Sequence, residues 1–212
     1  MDLRRTILAL AVLCLAATAG TAKTIPSPVP RPEASFATNV ASESQGRIFL
    51  LRGLLNVFSL GMDTLARKIR AKGLPAQVTN FTNWRGYATV LVSEYRTDKS
   101  LEPVVIIGHS LGADSAIDMA NYLGANGVPV RLVVSFDGVH EGHTVGRGIA
   151  EVINYYKADG VGKQIQAGAS FTGTLTNVDV SDRKGIDHLN IEKSPVLHAE
   201  VLAKLSAIFA GN

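Results

Sequence analysis

Cysteine is almost missing from this chain: Cys14 is the only one. A single thiol cannot close an internal disulfide, so no disulfide framework staples the fold. Aromatic residues are scarce, at 6%, and neither sign of charge dominates. The 21 Lys and Arg against 18 Asp and Glu leave a formal net charge of +3. No cluster of Lys and Arg interleaved with aromatics occurs, which argues against a nucleic-acid partner. Long apolar runs are also lacking. The run Ile7 to Ala17 falls short of the about 20 residues that cross a bilayer. What remains is a 212-residue chain, 46% hydrophobic and 18% charged, with enough apolar material for one globular domain.

The chain opens on a processing signal. Arg4 and Arg5 form a positive n-region, Ile7 to Ala17 an apolar h-region, and Gly20-Thr21-Ala22 offers small residues for cleavage before Lys23. Ala17-Thr18-Ala19 is an alternative site, and a retained N-terminal anchor is the competing reading. Leu13 before Cys14 is not a lipoprotein context, and the residues around Arg4-Arg5 fit twin-arginine export poorly. Residues 1–22 are therefore expected to be a signal peptide. Export without disulfides suits a bacterial periplasmic or secreted protein, with no stable membrane insertion after cleavage. Residues 23–45, with Pro26, Pro28, Pro30 and Pro32, cannot be helical and read as an extended spacer. The folded domain is then 46–212.

The most informative stretch is Pro103 to Gly112, PVVIIGHSLG. Val104 to Ile107 reads as a strand buried on both faces. Ala113 to Tyr122 reads as a helix with Ala116, Ile117, Met119 and Ala120 on its apolar side. Between them Gly108-His109-Ser110-Leu111-Gly112 matches G-x-S-x-G, in the strand, turn, helix context that a nucleophile elbow requires. Such a turn is strained, so Gly108 and Gly112 must leave room for the crossing strand and helix. It lifts the Ser110 hydroxyl clear of the sheet and aims the Leu111 N–H at a developing oxyanion.

With that context the chain resembles the α/β-hydrolase superfamily over about residues 46 to 210. The resemblance implies an α/β fold: a single domain with a mostly parallel central sheet and helices on both faces. The strand and helix alternation agrees. Core strands are expected at Gly46–Gly53, Ala76–Phe81, Val128–Phe136 and Phe171–Val180, with a strand-like segment at Ile149–Tyr156. Helices are expected at Met62–Ala71, capped by Gly73, at Trp84–Arg96, and from Pro195 through Ile208 behind a Ser194 cap. Trp84 reads as a packing residue, and Asn80-Phe81-Thr82 as a chance match to a glycosylation sequon.

The resemblance also implies a serine hydrolase with Ser110 as nucleophile. In the family's order of Ser, acid, His, the histidine after the last strand is His188, in the loop Gly185 to Leu189. His109 reads as structural, and His198 as exposed or packing. The acid is Asp137, which comes straight off an apolar strand as in the thioesterase branch. Asp159, after the next strand, is the alternative. Leu54 occupies the position whose N–H would join that of Leu111 in the oxyanion hole, although Arg52 stands where the family usually has His. His140-Glu141-Gly142-His143 does not match a zinc-protease motif and reads as a polar rim, so no metal and no cofactor is expected. The short interval from Asp137 to Val152 leaves little or no lid. The implied substrate is a small acyl ester or thioester, with Leu54, Leu55, Val57, Phe58 and Leu60 available to an acyl chain. A non-catalytic binding protein on the same scaffold, and an acyltransferase using the same triad, are the competing readings.

Overall fold

The computed structural model describes residues 46–54 and 60–211. The signal, the spacer, and Leu55, Val57 and Phe58 therefore lie outside the described residues. In chain order the elements are β1 (Arg47–Arg52), α1 (Leu60–Arg70), β2 (Gln77–Asn80), α2 (Trp84–Tyr95), β3 (Val104–His109) and α3 (Leu111–Ala125). There follow β4 (Val130–Phe136), β5 (Thr144–Val145), β6 (Glu151–Tyr156), β7 (Gln166–Ala167), β8 (Thr174–Asp179) and α4 (Pro195–Ala210). Six strands form one sheet in the order β2-β1-β3-β4-β6-β8, and every pairing is parallel. β5 and β7 make a separate two-stranded parallel ribbon.

Strand periodicity sorts the core into two layers. Phe49, Leu51, Val104, Ile106 and Val133 face one side, where they meet α2 and α3 through Ala88, Leu91, Ile117, Met119 and Leu123. Ile48, Leu50, Val105, Ile107, Leu132 and Val134 face the other side. There Met62, Leu65 and Ile69 of α1 and Leu197, Val201 and Leu205 of α4 cover them. This two-sided burial is why the central strands read as unbroken apolar runs.

The helix ends follow from their residues. α1 carries Asp63 in its first turn and Arg67, Lys68 and Arg70 in its last, which complement the helix dipole. Gly73, at φ +77°, closes it, with Gly73 N–H donating to Arg70 O and Leu74 N–H to Ile69 O. The Ser194 hydroxyl accepts from Leu197 N–H at the start of α4, where Pro195 is the first residue. Asn80 caps the short turn before α2, its side chain accepting from Thr82 N–H at 2.9 Å. That cap gives the sequon-like triplet a structural reason. Trp84 is buried and packs edge-on against Tyr122.

Three expectations need adjusting. β4 begins at Val130 rather than Val128, because Val128 N–H donates to Leu123 O and belongs to the termination of α3. β8 begins at Thr174 rather than Phe171. Phe171 turns back onto Gly168, and Gly173 is pressed against the backbone, where a Cβ would sit 2.4 Å from Ile149 O. The alternation of strands with helices stops after β4: no helix connects β4 to β6 or β6 to β8. The segment between Asp137 and β6, where a lid would be inserted, holds only two turns, β5 and a bridge from Ile149 to Val130.

Candidate active site

β3, β4 and β8 deliver their C-terminal ends to one edge of the sheet, the place where open α/β sheets gather their functional groups. At the end of β3 the chain turns within one residue. Ser110 adopts φ 57° and ψ −126°, a left-handed conformation that costs an ordinary side chain about 1–3 kcal/mol. Its N–H donates to Phe136 O at 3.0 Å, and its carbonyl accepts from Ala113 N–H, which starts α3 immediately. The flanking glycines are sterically required. A Cβ on Gly108 would lie 2.1 Å from Gly112 O, and one on Gly112 would lie 2.2 Å from Leu51 O. The end of β1 thus presses on the first turn of α3. Leu54, half-buried in the turn after β1, and Leu111, the first residue of α3, come from these two touching segments.

At the end of β4, Asp137 also takes a positive φ, 54°, and is fully buried. Its N–H donates to Tyr155 O at 2.8 Å. Its Oδ1 accepts from Lys157 N–H at 2.8 Å. Its Oδ2 accepts from His188 Nδ1–H at 2.7 Å. On the other side of the ring, His188 Nε2 accepts from the Ser110 hydroxyl at 3.0 Å. Both contacts require the same tautomer, with the ring proton on Nδ1. The three side chains are buried, Ser110 being 9% exposed and His188 6%.

The structure therefore brings Ser110, His188 and Asp137 into one hydrogen-bonded chain, and it does not bring Asp159 there. Asp159 has a side chain 64% exposed and pairs with Lys157 at 3.0 Å, a contact that holds its carboxyl below the usual range. It is a surface-turn residue, as its neighbours Ala158 and Gly160 suggest. Asp187 is also exposed. Its side chain accepts from Leu189 N–H at 2.8 Å and shapes the turn that carries His188.

Arg52, in the place of the family's usual His, makes a two-pronged ion pair with Asp63 in the first turn of α1, with Nε 2.9 Å from Oδ2. It links the end of β1 to the first turn of α1. Leu60, available to an acyl chain on the sequence reading, opens α1 and is 56% exposed. His198, expected to be exposed or packing, is fully buried. Its Nε2–H donates to Glu192 O at 2.7 Å, and its Nδ1 accepts from Lys68 at 3.1 Å.

Several supporting residues carry no sequence signal. A Cβ at Gly162 would fall 1.8 Å from Asp137 Oδ1, so only glycine leaves the carboxylate its place. Asp114, one turn into α3, accepts from the N–H groups of Val139 and His140 and so braces the loop behind Asp137. His143 lies between Asp114 and Asp118, 3.1 Å from the latter, and these two carboxylates push it up to about 9. His140 packs on the His143 ring, while Glu141 is exposed beside Lys163. Among the described residues no group of three or more His, Cys, Asp or Glu is placed to hold a metal, and no helix is long and apolar enough to cross a membrane.

No family model and no curated protein matches the chain. Solved structures do. Est1E from Butyrivibrio proteoclasticus superposes with a TM-score of 0.53 at 9% identity, over 80% of this chain and 90% of that one. A candidate hydrolase of the alpha/beta superfamily from Xanthomonas campestris pv. campestris gives 0.42 at 17% identity, over 77% and 99%. A thioesterase of the prodiginine biosynthetic pathway in Streptomyces coelicolor, RedJ, gives 0.42 at 10% identity, over 89% and 98%. At 9% identity the superposition with Est1E concerns architecture alone. With the parallel six-stranded sheet, the helices on its two faces and the single-residue turn at Ser110, it leads to one conclusion: this chain has the α/β-hydrolase fold.

Proposed function

We propose that the protein is a serine hydrolase that cleaves carboxylic esters or thioesters through an acyl-enzyme on Ser110. The observation that carries this reading is the buried chain Ser110 Oγ to His188 Nε2 to His188 Nδ1 to Asp137, at 3.0 and 2.7 Å. A hydroxyl on a strained turn, against an imidazole whose other nitrogen is bonded to a buried carboxylate, is the arrangement that activates serine. His188 takes the Ser110 proton as Oγ attacks the acyl carbon. The backbone N–H groups of Leu54 and Leu111 receive the oxyanion. Asp137 holds His188 in the required tautomer and stabilises the imidazolium. The protonated His188 returns its proton to the leaving alkoxide or thiolate. Water activated by the same imidazole then releases the acid. No cofactor enters this sequence. The N-terminal signal motif supports an exported enzyme.

The test is labelling with a fluorophosphonate probe, followed by turnover of a panel of p-nitrophenyl esters and acyl thioesters. Ser110→Ala should abolish labelling and lower kcat by roughly 10⁵-fold or more, since members of such a triad act as one unit. Wild-type turnover in that variant would overturn the proposal. A labelled protein that passes acyl groups to added alcohols in preference to water would be an acyltransferase, and an unlabelled one a binding protein.

A further inference from the structure

His109 lies beside the nucleophile and is 1% exposed. It is the last residue of β3, paired in register with Phe136 of β4, so its backbone belongs to the rigid centre of the sheet. Its Nε2 lies 2.8 Å from the backbone carbonyl of His188, 79 residues away in sequence. The two imidazoles pack at 5.2 Å between centroids with a 39° tilt. A carbonyl oxygen can only accept, so the ring proton of His109 is on Nε2. Burial, with the neighbouring His188 ring, pushes His109 down to about 4, which keeps it a neutral single donor. The nearby Glu192 Oε2, at 3.8 Å, is beyond hydrogen-bond reach of that nitrogen.

We propose that His109 is a positioning residue for His188, holding its backbone carbonyl through Nε2–H and thereby fixing the imidazole that faces Ser110. The proposal rests on the reading of Ser110 as nucleophile. The loop that carries His188 explains why such a tie matters. Between Asp182 and Ile191 the other backbone hydrogen bonds among the described residues are local. They run from Arg183 N–H to Val180 O, from Ile186 N–H to Arg183 O, from Asn190 and Ile191 N–H to Asp187 O, from Lys193 N–H and Nζ to Asn190 O and Leu189 O, and from Ser194 N–H to Ile191 O. The Asp187 and Asn190 side chains accept from Leu189 N–H and Asp187 N–H, and the Asn190 amide donates to Gly185 O. These shape the loop but do not register it on the sheet. The contact from His109 does. It also starts from the residue before Ser110, so nucleophile and tie share one rigid backbone. His188 is then bound at its carbonyl by residue 109 and at Nε2 by residue 110. Acyl transfer is sensitive to this register, because a misplacement of about 1 Å can cost on the order of 100-fold in rate.

The test compares His109→Leu, which fills the space without a donor, with His109→Gln, whose amide N–H reaches close to the position of Nε2. His109→Asn, whose amide stops short of the carbonyl, is the third variant. Thermal unfolding confirms that each is folded. The readouts are kcat and KM on a p-nitrophenyl ester, the fluorophosphonate labelling rate, and the downfield proton resonance of His188 Nδ1–H. Leu and Asn should lower kcat and labelling roughly 10- to 100-fold with KM unchanged and should shift or broaden the resonance. Gln should recover most of the rate. If Leu does not fold, the contrast of Gln with Asn decides. Folded Leu and Asn variants within about twofold of wild type, or a Gln variant as slow as Asn, would overturn the proposal. Wild-type turnover in Ser110→Ala would instead overturn the nucleophile reading. The His188 resonance would then still report whether His109 holds the loop: an unchanged resonance in the Leu and Asn variants would refute the tie.

Discussion

Removing one buried carboxyl should change how stability depends on pH. Glu192 is fully buried. Lys193 Nζ lies 3.6 Å from its Oε1 and His109 Nε2 lies 3.8 Å from its Oε2. Its own carbonyl is taken by His198, which in turn accepts from Lys68. The N-terminus of α1 faces it at Gly61, but neither carboxyl oxygen has a hydrogen bond of ordinary geometry among the described residues. Burial outweighs Lys193 and the backbone N–H groups and pushes the carboxyl up from 4.5 to about 7. The folded protein therefore keeps a proton that the unfolded chain releases. The stability tied to that proton is fully present below about pH 4.5 and lost as pH rises through about 7. The gap corresponds to on the order of 3 kcal/mol. Glu192→Gln keeps the shape and removes the titration. Denaturant unfolding of both proteins from about pH 4.5 to 8 should show wild type losing that amount relative to the variant, on top of any constant offset. At this chain length the loss is about 6–12 °C in Tm. His109 and His198, both held below their ordinary range by burial, act in the opposite sense, but they are present in both proteins and drop out of the difference. Parallel curves across that range would show that Glu192 is ionised in the folded state and would refute the reasoning.

Asp137→Asn should lower kcat by roughly 10⁴-fold, because the amide favours the wrong imidazole tautomer, whereas Asp159→Asn should stay close to wild type in turnover. Equal losses in the two variants would contradict the geometry. Gly162→Ala should cut kcat by about 100-fold by forcing the Asp137 carboxylate aside, and a crystal structure of the variant would show Oδ1 displaced from Lys157 N–H. N-terminal sequencing of protein recovered from the periplasm or medium should begin after Ala22 or Ala19. A sequence beginning at Met1 would refute export by a cleaved signal.

The elbow was legible because several local rules agree there. An apolar strand, two glycines in tight contacts and an uninterrupted helix all point to one turn. β4 was legible for similar reasons, apart from its first two residues, and His188 was singled out by the order of Ser, acid and His that the resemblance implies. β6 was only half legible, since Asn154 interrupts its apolar run. The structure explains that interruption: Asn154 is buried and donates to Lys163 O and Asn177 Oδ1. The residues that support the site were not legible, because their meaning lies in contacts far apart in sequence. His109 reads as structural, but what it holds is hidden until His188 is folded against it. Nothing in Asn190 to Lys193 announces a carboxyl under α1. His198 differs for a related reason: it shares the buried side of α4 with Leu197, Val201 and Leu205, where a polar ring needs the partners that Glu192 and Lys68 supply.

The absence of connecting helices between β4, β6 and β8 has a further consequence at the rim of the sheet. β8 ends the sheet on that side, with Thr174, Thr176, Asn177 and Asp179 along its six residues and much of its length half-buried or exposed. On the opposite side the sheet ends on β2, which is four residues long and reads Gln-Val-Thr-Asn. An outermost strand offers unpaired peptide groups to any other chain that can lie alongside, and long apolar strands in that position seed aggregates. Here one border is short and both are rich in polar side chains. Both borders are therefore poor templates for unwanted strand addition.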